Sequence, residues 1–226
     1  MKLKNSAMFL AMLVVISAFT GCLSDDEEDA VDSDPGEDGG YEYATNVDSH
    51  RLLVEDVCDI KALAEEFKWS EIETIYKDGV HSDKGSSMRT LQGFASAEGK
   101  MHPYDDYYNQ TGSIDAFVMS AIQGTGQFEG KSDSVREQAI EKGIQNVLMT
   151  AYVIHELNTA IDKETKGTAN AVHNWDEGWA FFHGSSPGCG PYATGGKRAG
   201  NFGTDNPSLA ILDSMKAGRD VLNNDG

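Results

Sequence analysis

The chain has 226 residues and a formal net charge of −19, from 37 acidic and 18 basic side chains. A balance this acidic excludes nucleic acid as a partner, because phosphate recognition needs clustered Lys and Arg. It also disfavours electrostatic docking on anionic lipid. Cations are the natural partners of such a field, although a salt-adapted secreted protein has the same composition.

Lys2 and Lys4 open the chain, and no charge follows from Asn5 to Gly21. The apolar run from Met8 to Ile16 is too short for a spanning helix, which needs about 20 apolar residues. A basic start, an apolar run and a small-residue end make a secretory signal over residues 1–21. Gly21-Cys22 has the form of a lipobox, in which Cys22 is lipidated and anchors the protein to a membrane. Phe19 stands where Leu is usual, so a plain cleaved signal or an uncleaved anchor are the alternatives. Between Asp25 and Asp38 there are nine acids and no base. Such a segment repels itself and buries nothing, so residues 22–40 read as a lipidated cysteine and an acidic, disordered tether. Residues 41–226 are enough for one domain. Once Cys22 is set aside, Cys58 and Cys189 are left. An oxidising exterior makes them candidates for a bridge, but nothing in the sequence brings them together.

The domain reads as all-α, an irregular bundle of about six helices with long ordered loops. Leu52, Leu53, Val57, Ile60, Leu63, Ala64 and Phe67 recur at helical spacing over 48–67. A short helix follows Ser70, turns Ile72, Ile75 and Tyr76 inward, and stops at Gly79. Residues 87–95 are helical. The Tyr-, Asp- and Asn-rich stretch 99–112 reads as an ordered loop, and Ser113 starts a helix through Ile122. The longest helix runs from Ser132 or Ser134 to about Lys163, with Ile140, Ile144, Val147, Leu148, Ala151, Ile154 and His155 on its core stripe. A short helix over 174–183 leads into a long Gly- and Pro-rich loop, 184–207, and Ser208 to Leu222 forms the last helix.

The chemistry is concentrated in His173-Asn-Trp-Asp-Glu-Gly-Trp-Ala-Phe-Phe-His183. At about 100° per residue, Trp175, Trp179 and Phe182 fall on one face, and His173, Asp176, Glu177 and His183 on another. Imidazoles and carboxylates on one stripe suit a transition metal. The bland alternative is that Asn174 caps the helix, the acids favour its dipole and the aromatics are core. His155 lies on the long helix with Glu141 several turns earlier, and His and Glu from two helices can build a metal site in a bundle. His155-Glu156 is not the zinc-protease motif, since residue 159 is Thr. His81 and Asp83 sit in a polar turn. No nucleophile elbow, phosphate-binding glycine loop or Cys-x-x-Cys is present.

Several stretches together resemble a known family. They are Ile75-Tyr76-Lys-Asp-Gly79 with Ser82, Arg89-Thr-Leu-Gln-Gly-Phe-Ala95, Gly143-Ile-Gln-Asn146 with Tyr152 to Leu157, and His173 to Gly184 with Pro191-Tyr-Ala193. The chain resembles, over about residues 75–205, the low-iron-induced periplasmic iron-assimilation proteins first known from green algae, with relatives in marine microbes. The resemblance implies a secreted, non-enzymatic protein that helps cells acquire iron. It carries over no ligand set. The apparent anchor departs from the algal pattern and implies capture at the cell surface, with an iron transporter or reductase as a partner.

The leading expectation is therefore an extracytoplasmic protein that binds or delivers iron. Its expected ligands are His155, His173, Glu177 and His183, with Glu141, Asp176 and His81 behind them; Mn, Zn or Cu fit the same donors. The rivals are a metal-dependent oxidoreductase acting on iron, a module for a small organic ligand such as a siderophore walled by Trp175, Trp179 and the Tyr-rich loop, and a purely structural surface protein.

Overall fold

The computed structural model describes residues 37–100 and 102–224. The expected signal, Cys22 and nearly all of the tether lie outside the described residues. Among those residues the fold is all-α, with one isolated bridge between Asp83 and Met88. We number the helices α1 (Asp48–Arg51), α2 (Leu53–Glu65), α3 (Trp69–Asp78), α4 (Leu91–Ala95), α5 (His102–Tyr108), α6 (Ser113–Gln123), α7 (Asp133–Lys142), α8 (Met149–Thr165), α9 (Ala171–Phe182), α10 (Pro191–Phe202) and α11 (Pro207–Asn224).

The apolar stripes read from the sequence form the main core. Leu53, Ile60, Ile72, Tyr76, Leu91, Ile122, Ile140, Ile144 and Leu148 are all fully buried. Each such side chain stabilises the fold by roughly 1.5–3 kcal/mol through water exclusion. A second, smaller cluster forms around Trp179 with Tyr41, Leu212 and Met215. Ile154, expected on the core stripe, is instead 45% exposed. A π-helical turn, Gly143–Leu148, separates α7 from α8. Its extra residue rotates α8 relative to α7, which is why the stripe drifts. That turn also places Gln145, whose amide donates to the Gly190 carbonyl at 3.0 Å, and Asn146, which accepts from the Thr194 hydroxyl at 2.7 Å.

Two segments expected as loops contain helices. Residues 102–108 form α5. Residues 191–202 form α10, in a stretch whose glycines read as a loop. Pro191 fits the first helical position, where its missing N–H costs nothing, and Gly203 closes the helix in the left-handed region at φ 62°. Gly195 lies so close to α11 that a Cβ there would stand 2.2 Å from the Ser208 hydroxyl. Packing against α11 therefore outweighs the low helix propensity of glycine, about 1 kcal/mol per residue. The described fold starts at the edge of the acidic segment: Asp38 is buried, and both guanidinium nitrogens Nε and Nη2 of Arg51 donate to it.

Cys58 on α2 and Cys189 are joined by a disulfide, with Cα atoms 5.3 Å apart and 131 residues between them in sequence. A loop of that length removes about 5 kcal/mol of chain entropy from the unfolded state in the entropic picture. The bridge ties α2 to the segment that follows α9. That helix returns antiparallel along α8, and Gly178 lets the two approach: a Cβ on it would lie 2.9 Å from Leu157 Cδ2.

Candidate metal centre

Close packing of α8 and α9 brings Glu156 and Glu177 face to face, both buried. Asn174 holds them. Its amide donates to Glu156 Oε2 at 2.5 Å and to Glu177 Oε2 at 3.1 Å, while its own oxygen accepts from Lys163 Nζ at 2.5 Å. The residue type suggests a helix cap at Asn174. The helix instead begins at Ala171, three residues earlier. Asp176 and Glu177 are consequently beyond the first turn, and the dipole does not account for them.

The other oxygen of Glu177 is the meeting point of two imidazoles. His173, one turn earlier on α9, places Nε2 3.2 Å from Glu177 Oε1. His50, on α1, places Nε2 3.3 Å from the same oxygen. His50 is packed edge-on against Phe181, with ring centroids 5.5 Å apart, and faces Phe94; Tyr152 completes the aromatic wall by meeting both phenylalanines. His50 Nδ1 is buried with no hydrogen-bond partner.

Burial sets the charges. Desolvation, joined by the positive fields of Arg89, His173 and Lys84, holds His50 down to about 3. At neutral pH the imidazole is uncharged, so its 3.3 Å contact with Glu177 is not an ion pair. Desolvation raises Glu177 above the usual carboxylate range, and desolvation with the nearby Glu177 charge raises Glu156. Each carboxyl therefore favours its protonated form more than a solvated carboxyl does. Arg89, Lys163 and Lys100 act on Glu177 in the opposite sense without overcoming burial.

The remaining expected ligands are dispersed. His155 lies at the rim, its Nε2 2.8 Å from Lys100 Nζ and 3.9 Å from Glu156 Oε1. Asp176 turns away from Glu177: its Oδ1 accepts from the Tyr41 hydroxyl, and its Oδ2 from the N–H and hydroxyl of Thr45, all at 2.8 Å. His183 is ten residues past His173, or about 15 Å along the helix. It stacks on Trp179 with centroids 5.6 Å apart, and its Nδ1 is 2.8 Å from the Gly184 carbonyl. Glu141 is paired with Lys142 at 3.0 Å and Lys61 at 3.6 Å. His81 pairs with Asp59 at 2.8 Å, and that hydrogen bond holds it above the usual imidazole range. Trp179 is fully buried, and Trp175 donates to the Met215 carbonyl at 2.9 Å. Both pack the second core cluster.

Sequence reasoning thus finds His173 and Glu177 together, and misses His50, Glu156 and Asn174. His50 precedes the first apolar run on a helix of four residues, too short to show periodicity. Glu156 stands beside His155 in the sequence, but the zinc-protease spacing against which that pair is read does not single it out. Among the described residues, no three His, Cys, Asp or Glu side chains form a group that could hold a metal ion as placed. Asn174 joins the two carboxylates of this site through hydrogen bonds, and the donors do not surround a common point.

A family model described as low iron-inducible periplasmic protein matches residues 28–206. That span contains His50, Glu156, His173 and Glu177, and it bears out the resemblance drawn from the sequence. No curated protein and no solved structure matches the chain. Among the described residues, no helix is long and apolar enough to cross a membrane. With most of its length matched, the chain belongs to the low iron-inducible periplasmic protein family.

Proposed function

We propose that this protein captures iron outside the cytoplasm, with His50, His173 and Glu177 as donors and Glu156 completing the set. The observation that carries the reading is the convergence of two imidazole Nε2 atoms on one carboxylate oxygen, at 3.3 and 3.2 Å. Donors at right angles around a metal, each about 2.1 Å from it, lie about 3 Å from one another. Each imidazole therefore already has the spacing from Glu177 Oε1 that a neighbouring ligand would have. A cation drawn in by the acidic field takes the place of protons on the two buried carboxyls and of the imidazole contacts with Glu177 Oε1, with small rotations about the carboxylate. Binding releases protons in consequence. Oxygen and imidazole donors accept Mn, Zn and Cu as well as iron; induction of the family at low iron selects among them.

The test is elemental analysis of the purified protein after anaerobic incubation with ferrous iron and desalting. About one iron per chain is expected in the parent and none in a His173→Ala, Glu177→Ala variant that keeps its helical circular dichroism. Equal retention by the variant would remove these residues from the site. The proposal extends to lipidation at Cys22 and delivery to a surface transporter or reductase. Replacing Cys22 by Ala should move the protein from the membrane fraction to the medium or periplasm; unchanged fractionation would remove the anchor from the account.

A further inference from the structure

Residues 41–47 cross α9 as a strap. Tyr41 stacks on Trp179, with centroids 5.3 Å apart and planes at 28°, and donates to Asp176. Thr45 gives Asp176 Oδ2 both its N–H and its hydroxyl proton. The same hydroxyl oxygen lies 3.0 Å from His173 Nδ1. A threonine hydroxyl has one hydrogen and can otherwise only accept. Of its two neighbours, the carboxylate is the stronger acceptor. With its hydrogen committed to Asp176, the oxygen can only accept from His173, so Nδ1 carries the imidazole proton. Nε2 is then left with its lone pair, which faces Glu177 Oε1 across 3.2 Å and, in the metal-free protein, accepts the proton of that carboxyl.

We infer that Thr45, oriented by Asp176, is a positioning residue that fixes His173 in the Nδ1–H tautomer and presents its Nε2 lone pair to the metal. The inference rests on His173 being a ligand. It also gives Asp176 a role: a fully buried carboxylate needs several donors, and Asp176 has three, all from the strap. The strap begins where the acidic segment ends. His50 has no such partner on its Nδ1, and the two imidazoles of the site are therefore not equivalent.

The test does not depend on iron. Long-range 1H–15N correlation spectra of the metal-free protein, in mildly alkaline buffer, distinguish the protonated from the lone-pair nitrogen of each histidine. His173 is expected as Nδ1–H in the parent and in Thr45→Ser, and as largely Nε2–H in Thr45→Val. An Nε2–H parent, or a tautomer unmoved by Thr45→Val, overturns the inference. Iron titrations of the same proteins should show a 10- to 100-fold loss of affinity for Thr45→Val, the usual effect of removing a ligand's outer partner, and recovery in Thr45→Ser. Full affinity in Thr45→Val overturns the positioning role. Absence of iron binding by the parent would sink the iron reading while the tautomer result stood by itself.

Discussion

His50 supplies a sharp thermodynamic prediction. Its pKa falls from 6.5 to about 3 on folding, chiefly through desolvation. The unfolded chain therefore takes up a proton on this residue well before the native state does. Stability is lost as pH falls below the unfolded value, and the loss saturates near the folded value. At 1.36 kcal/mol per pKa unit, the full effect is about 5 kcal/mol, and at about pH 5 it is already about 2 kcal/mol. Glu156 and Glu177 have the opposite sign: with raised folded values, they cost stability at neutral pH and relieve that cost as they protonate. A single pH profile mixes these slopes, so the measurement is a difference. Urea denaturation of the metal-free parent and of His50→Gln should be compared at neutral pH and near pH 5. The parent should lose about 2 kcal/mol more than the variant over that interval. Parallel losses would refute the claim that His50 is buried uncharged.

Gly218 tests packing against propensity. Alanine is the better helix former by about 1 kcal/mol, but a Cβ at this position would lie 2.1 Å from Trp175 Cζ2. Gly218→Ala should lower stability by about 1–3 kcal/mol, and a rise in Tm would contradict the close approach of α9 and α11. Reducing the Cys58–Cys189 bridge should cost up to about 5 kcal/mol in denaturant titrations, and an unchanged midpoint would show that it constrains nothing. Glu141→Gln, remote from the proposed donors and paired with Lys61 and Lys142, should leave iron retention unaltered; loss of iron there would move the site to α7.

Helical periodicity makes the stripes of α2, α3 and the stretch from Ile140 to Leu148 readable from the sequence, because each must bury one apolar face, and it is lost on α8 beyond the π-helical turn. It fails for α10, where glycines serve contact with Ser208 and Asn206 and depress local propensity. The His173–Glu177 pair is legible because four residues is about one helical turn. His50 and Thr45 are not, since each reaches α9 from more than 120 residues away in sequence through a fold that no local pattern encodes. Asn174 misleads for a related reason: the residue type favours caps, yet here it sits inside the helix and bridges two buried acids.

The central claim is that two imidazoles and a carboxylate from α1 and α9 bind the iron together. X-ray absorption spectroscopy of the iron-loaded protein tests it most directly. The parent should show the multiple-scattering signature of two imidazole ligands, and His50→Ala and His173→Ala should each show that of one. An oxygen-only shell in the parent, or a parent spectrum retained in both variants, would contradict it.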